Sequence, residues 1–277
     1  MTTIATLGPA GTFSDQVAKD FRRLLPGEVT ISYGNSIPKV FAAVGEGCDY
    51  GIVPFENLSE GYIPQVIDLL LLSQLKIVAE RLAPVSFTCI ATVADPLELE
   101  TIFVPFASRA QCSEFLDRLG ESVEVITTET DTLALARMSN SPGRSGAIVP
   151  AHFVKPGDFP LVQEGVNDIP DTYTRFLVLA KETTPIPGCT SPGCKTSLVV
   201  SSDDDHPGLL EKILSCFSRQ HINLLAIASR PAREQFGRHS FFLALAASSG
   251  DLRVGKALEE LARFARVKVL GCCERAV

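Results

Sequence analysis

The sequence predicts an α/β protein in two parts, a two-lobed unit over residues 1–182 and a smaller βαββαβ unit over 195–277. Three observations predict it. Short β-rich runs alternate with helical periodicity over 1–84, and the alternation repeats over 85–162. A β-rich run, Thr172–Ala180, follows the second series and returns the chain toward the first. A Pro/Gly-rich stretch over 183–194 then marks a linker before a last strand–helix–strand–strand–helix–strand series.

Taken in order, residues 3–7 read as a strand, and Gly8-Pro9-Ala10-Gly11-Thr12-Phe13-Ser14 as a glycine-punctuated turn. A helix follows over 15–25, with Ser14 as its N-cap. A strand, a turn that permits close backbone approach and a helix N-terminus with free N–H groups together make an anion site. The turn has neither the G-x-x-x-x-G-K-[ST] nor the G-x-G-x-x-G pattern, which disfavours phosphate or dinucleotide and leaves a carboxylate, or a plain βα turn. Residues 29–33 form a second strand, Ser36 caps a helix with Pro38 in its first turn that runs to Gly45, and 49–54 form a third strand. That strand closes onto Glu56-Asn57-Leu58-Ser59-Glu60-Gly61. Ligands of parallel α/β sheets lie beyond the carboxyl ends of the strands, and both polar turns fall at such ends. A helix over 63–72 and a strand over 75–84 complete the first series.

In the second series strands are expected at Phe87–Ala91, 101–103, 123–127 and 146–149, with helices over 109–119 and 131–138. The chain then passes through Asn167-Asp168-Ile169-Pro170-Asp171 to Thr172–Ala180, whose leading end offers hydroxyls, a guanidinium and aromatic rings before the side chains are spent on packing. Two such lobes joined by crossing strands enclose a cleft, where small ligands usually bind. Beyond the linker, strands over 196–200, 224–230, 240–246 and 267–270 with helices over 209–219 and 254–264 give the ferredoxin-like order.

Composition narrows the partners. With 45% hydrophobic and 21% charged residues in 277 the chain is long enough for a sizeable core, and its net charge of -7 argues against nucleic acid or an anionic membrane. A small-molecule substrate is expected instead. No apolar run of about 18 residues occurs and the chain enters a strand at once, which predicts a cytoplasmic protein. The eight cysteines, Cys48, Cys89, Cys112, Cys189, Cys194, Cys216, Cys272 and Cys273, lie in apolar segments and tails without a Cys-x2-Cys pair. With only four histidines, they predict mostly reduced thiols and no metal site.

Three motifs coincide in order, and on them the sequence resembles the prephenate dehydratase family. Leu7-Gly8-Pro9-Ala10-Gly11-Thr12-Phe13-Ser14 matches the family's L-G-P-x-G-T-F-S throughout, Val53-Pro54-Phe55-Glu56-Asn57-Leu58-Ser59-Glu60-Gly61 its V-P-x-E-N-S-x-E-G, and Thr172-Tyr173-Thr174-Arg175-Phe176 its N-x-T-R-F. The C-terminal part resembles the ACT regulatory domain, with Pro207-Gly208-Leu209-Leu210 at its P-G-A-L position and Ser229-Arg230-Pro231 within its E-S-R-P motif. There are departures. Leu58 stands for the Ser of E-N-S, Thr172 for the Asn of N-x-T-R-F and Ala228 for the Glu of E-S-R-P. In the second lobe only Ala110-Gln111-Cys112 is kept of S-H-P-Q-A-L-x-Q-C, and Asp131-Thr132-Leu133 aligns with S-T-A.

The resemblance implies a periplasmic-binding-protein-like catalytic domain, conversion of prephenate to phenylpyruvate, and feedback by phenylalanine. It assigns catalysis to Thr174 and substrate binding to Thr12, Phe13, Ser14, Glu56, Asn57, Thr132, Thr172, Arg175 and Phe176. By its position on a strand Arg175 faces away from Thr174, which also suits a structural salt bridge, and Phe176 suits either cleft wall or core. Pro207, Gly208, Leu209, Leu210, Asn223, Ser229, Arg230 and Pro231 are implied to bind phenylalanine between paired subunits of a homodimer or dimer of dimers. No metal or organic cofactor is implied. Two other readings stay open, an enzyme acting on a related chorismate-derived acid and a non-catalytic sensor of amino or aromatic acids.

Overall fold

The computed structural model describes residues 1–155, 157–182, 193–202, 204, 206–231 and 239–276. Most of the expected linker, 183–194, therefore lies outside the described residues. The chain begins with β1 (Thr2–Leu7), α1 (Phe13–Arg22), β2 (Val29–Gly34), α2 (Ile37–Ala43), β3 (Tyr50–Asn57), β4 (Gly61–Tyr62), α3 (Pro64–Leu72) and β5 (Lys76–Val85). The second series is β6 (Phe87–Ala91), β7 (Thr101–Pro105), α4 (Phe106–Arg109), α5 (Ser113–Leu119), β8 (Glu124–Thr128), α6 (Asp131–Asn140), β9 (Ser145–Pro150) and β10 (Leu161–Glu164). Then β11 (Thr172–Ala180) returns to the first lobe. The last unit is β12 (Cys194–Ser201), α7 (Leu209–Ser218), β13 (Leu224–Pro231), β14 (His239–Leu245), α8 (Leu252–Leu261) and β15 (Arg266–Glu274).

Each part owns a sheet. The first lobe has the order β2-β1-β3-β11-β5, the second β10-β6-β9-β7-β8, and the C-terminal unit β13-β14-β12-β15. In the first sheet β1 runs parallel to β2 and β3, while β11 lies antiparallel between β3 and β5, so the sheet is mixed rather than parallel throughout. The antiparallel strand is what brings its leading end, Thr172 to Arg175, to the carboxyl end of β3. The loop after β1 opens at the same edge of the sheet.

Several local expectations are corrected. Thr12, not Ser14, caps α1: its backbone is extended and its hydroxyl accepts from Asp15 N, while Phe13 and Ser14 are already helical. The helix stops at Arg22, short of Pro26, which disfavours helical geometry in the residue before it. β3 runs on to Asn57 and forms a hairpin with β4, so Glu56 and Asn57 are strand rather than turn residues, and the N-cap of α3 is Ile63. The helix expected over 109–119 is two helices. Asp168, from the segment before β11, accepts from Ser113 N, Ser113 Oγ and Glu114 N and so starts α5 afresh. The strand β10 has no clear sequence signal, since it pairs with β6 through residues of mixed polarity.

The first lobe and the C-terminal unit share one core. Phe55, Val66, Ile67, Leu70 and Ile77 of the first pack with Val199, Phe242, Ala244, Leu270 and Cys273 of the second, and the Phe55 and Phe242 rings meet at 5.3 Å. β15 lies along β5 so closely that a Cβ on Gly271 would stand 2.1 Å from the Ile77 carbonyl oxygen. Lys76 Nζ donates across this seam to the Val269 carbonyl at 3.0 Å.

Candidate active site

Register brings the two central polar residues together. Thr174 of β11 is the cross-strand partner of Asn57 of β3, and such partners project to the same face of an antiparallel pair. Asn57 Nδ2 donates to Thr174 Oγ1 at 2.9 Å, and Asn57 Oδ1 accepts from Ser59 N at 2.8 Å. The amide is thereby fixed in one orientation by the turn that follows it. Thr172, two residues before Thr174, is buried with its hydroxyl 3.3 Å from that of Ser59. Phe176 is core rather than cleft wall, packed with Ile4, Val17, Phe21 and Ile52 beneath α1. Leu58 is exposed, and its N–H donates to the Tyr173 carbonyl.

The turn over 8–14 is held from below by Asp15. This fully buried carboxylate accepts from Gly11 N at 2.7 Å, Lys19 Nζ at 2.7 Å and Tyr33 OH at 2.6 Å. Burial pushes its pKa up, but the bonds from Lys19, Tyr33 and Gly11 outweigh that and hold it below the ordinary carboxylate value. Burial and the same bond push the Tyr33 phenol up to about 12. Gly11 has φ +95°, a conformation that glycine adopts without strain. The Thr12 hydroxyl is spent on the turn, donating to the Pro9 carbonyl and accepting from Asp15 N. The N–H groups of Phe13 and Ser14 and the Ser14 hydroxyl have no acceptor or donor among the described residues, so they are the groups the turn can offer to an anion.

The second lobe closes over this edge. His152, just after β9, donates through Nε2 to the Gly11 carbonyl, and the Phe13 ring stands edge-on to His152 at 5.3 Å and to Phe87 at 5.8 Å. Gln111 Nε2 reaches Glu60 Oε1 at 3.0 Å, while Gln111 Oε1 is buried without a partner among the described residues. The carboxyl edges of the two sheets therefore face one another. Thr132 stands exposed in the first turn of α6, on the second lobe's side of this edge. Beside it, burial pushes the Asp131 carboxyl up to about 6.

Arg175 lies on the other face of β11 from Thr174. It donates through Nε to Glu56 at 3.0 Å and through Nη1 to Glu80 at 2.9 Å. Burial lowers its pKa, and the two carboxylates more than restore it. Lys195 of β12 stands 2.5 Å from Glu80, so a row of buried and half-buried charges runs from the C-terminal unit to the residue beside Thr174. Glu80 is missing from any motif; its one sequence signal is an acidic residue beside the apolar run over 77–79 of β5.

In the C-terminal unit Gly208 adopts φ +91° at the start of α7, after Pro207, with Leu209 buried and Leu210 exposed. Asn223 and Ser229 are exposed, and the Asn223 carbonyl accepts from Ala246 N. Arg230 turns to the first lobe, meeting Asp68 of α3 at 3.1 and 3.2 Å, and Pro231 ends β13 opposite His239. Six cysteines are free, and Cys194 is disulfide-bonded; Cys189 lies outside the described residues. Among the described residues no group of three metal-ligating side chains occurs.

Known proteins similar to this chain show its family. The family model described as prephenate dehydratase matches residues 4–184, and the ACT domain model matches 196–263. The prephenate dehydratase of Lactococcus lactis subsp. cremoris is 32% identical over 273 residues, covering 97% of this chain and 96% of that one. The structure of Arthrobacter aurescens prephenate dehydratase in complex with L-Phe has a TM-score of 0.82 and 26% identity, covering 99% of this chain and 90% of that chain. A structure described as a novel type of quorum quenching acylase also superposes, with a TM-score of 0.78 over 99% of this chain and 98% of that one, but at 21% identity it shows the fold alone. By its matched motifs, its two-lobed cleft and its C-terminal ACT domain, this chain belongs to the prephenate dehydratase family.

Proposed function

We propose that the protein converts prephenate to phenylpyruvate with Thr174 as the catalytic hydroxyl. The observation that carries the reading is the Asn57–Thr174 bond. Asn57 can only donate through Nδ2, so Thr174 Oγ accepts there and its own proton is free to point at a ligand. A hydroxyl that accepts one hydrogen bond is a stronger donor of the next.

In the reaction the ring carboxylate leaves as carbon dioxide, its bonding electrons enter the ring, and the ring hydroxyl departs with a proton as water. The step is redox-neutral and is driven by aromaticity. Threonine is a weak acid, so its part is to donate a hydrogen bond to the departing oxygen or relay a proton to it in a site shielded from water. The Phe13 and Ser14 N–H groups and the Ser14 hydroxyl suit a substrate carboxylate. Thr132, exposed in the first turn of α6, would contribute from the second lobe. Thr172 supports the Ser59 turn, Arg175 and Glu56 hold the strands behind Thr174, and Phe176 anchors β11 in the core.

The chain divides as catalytic residues 1–182, linker 183–194 and regulatory residues 195–277. The Arthrobacter relative was solved with L-Phe, which supports phenylalanine as effector here. It would bind at Pro207, Gly208, Leu209 and Leu210, with Asn223 and Ser229 completing the site across a homodimer. Exposed Leu225 and Ile227 on the edge strand β13 support such pairing. A cytoplasmic location goes with this reading; among the described residues no helix is long and apolar enough to cross a membrane. Incubation with prephenate and ultraviolet detection of phenylpyruvate tests the reading. A non-aromatic product would replace it with a decarboxylase of the same substrate, and no turnover with a sensor.

A further inference from the structure

Between the first lobe and the C-terminal unit lies a cavity of about 270 Å³, on the opposite face of β11 from Thr174. Phe55, Tyr62, Phe242, Leu225, Ala226 and Ala244 form its apolar wall. Its polar side holds Arg175, Lys195, Arg275 and Glu56. Arg175 is satisfied by Glu56 and Glu80, and Lys195 by Glu80. Tyr62 is the cross-strand partner of Glu56. Arg275 differs: its Nε is shielded from solvent and has no partner, and its side chain meets no carboxylate among the described residues. Among the described residues the three cations Arg175, Lys195 and Arg275 are thus met by two carboxylates, Glu56 and Glu80, and the surplus positive charge sits on the guanidinium of Arg275, which lines an aromatic-walled space. An Nε–H left without an acceptor out of water is unfavourable, and the half-buried Arg275 fork matches a carboxylate.

We propose that this interdomain cavity is a binding site for a small hydrophobic carboxylic acid, with the carboxylate on Arg275 and the hydrocarbon against Phe55, Tyr62 and Phe242. One monoanion balances the surplus charge, and the volume holds one molecule with a single ring. The site is separate from the cleft at Thr174 and from the α7 N-terminus, and it does not depend on which acid the cleft converts. An occupant would touch both domains and Arg175, the residue next to Thr174.

Calorimetry of the full chain with 3-phenylpropionate tests the proposal. The expected result is binding that survives in Thr174→Ala, weakens at least about tenfold in Arg275→Gln through loss of a charged hydrogen bond, and is abolished in Ala226→Leu, which fills the cavity. The amine 3-phenylpropylamine, of opposite charge, is expected not to bind. Circular dichroism establishes that each variant folds; should Arg275→Gln not fold, Ala226→Leu decides. No heat at millimolar ligand, or unchanged binding in either folded variant, overturns the proposal. Turnover of prephenate is read in a separate assay, so failure here is distinguishable from failure of the proposed reaction.

Discussion

Asn57 donates to Thr174 across 2.9 Å, and the Ser59 N–H holds the Asn57 carbonyl from behind, so the direction of the Thr174 proton is set by a neighbour that cannot accept it. Thr174→Ala is expected to lower kcat by about 10²–10⁴-fold, the usual worth of a positioned proton donor, and Thr174→Ser to keep much more. Asn57→Asp offers a sharper check. A carboxylate at 57 would draw the Thr174 proton inward, so this variant should turn over more slowly than Asn57→Ala. Equal rates for the two would remove the orienting role.

Asp15 ties the turn over 8–14 to α1, and its pKa is lower in the folded protein than the ordinary 3.8. The folded state therefore binds the proton less readily than the unfolded chain, and the stability Asp15 contributes is present at neutral pH and lost as pH falls from that value through the folded pKa. Asp15→Asn is expected to cost roughly 2–3 kcal/mol at pH 7, because three donors lose a charged acceptor. Urea unfolding at pH 7 and near pH 3 measures it; the gap between wild type and variant should shrink at the acid end.

The elements were legible where local chemistry decides them. β6 and β11 lie at their expected bounds because both are short runs rich in apolar, β-branched and aromatic residues, and Thr174 stands out as a hydroxyl at a strand mouth. What could not be read depends on distant partners. The break between α4 and α5 needs Asp168, 55 residues from Ser113. The roles of Glu80 and His152 appear only once β12 and the Gly11 turn are folded against them. Arg230 shows the same limit: its motif suggests a ligand contact, whereas in the folded chain it pairs with Asp68 of α3.

Glu80 is 1% exposed and accepts from Arg175 while facing Lys195. Removing one member of a buried ion cluster strands the others, at a cost of about 3–5 kcal/mol, so Glu80→Leu should lower the melting temperature strongly. Adding Lys195→Met removes the stranded ammonium and should recover part of the loss. If the double variant is no more stable than Glu80→Leu, the Lys195 contact contributes nothing to the seam.

The last prediction concerns control by phenylalanine. Truncation near Ala180 is a poor test, because it would uncover Phe55, Ile77 and Leu70, which share a core with Phe242, Ala244 and Leu270; such a fragment is expected to aggregate rather than run unregulated. A point change at the start of α7 leaves that seam untouched. Gly208 sits at φ +91°, where a β-branched side chain is strained by about 1–3 kcal/mol, and relief of that strain would shift the N–H groups offered to an amino-acid carboxylate. Gly208→Val should therefore raise the phenylalanine concentration for half-inhibition by about tenfold or more, since each tenfold corresponds to only about 1.4 kcal/mol of coupling. The measurement is prephenate turnover across a phenylalanine titration for wild type and variant. Inhibition curves that superimpose would place the effector away from α7, and a wild type indifferent to phenylalanine would leave the ACT domain as a dimerisation unit.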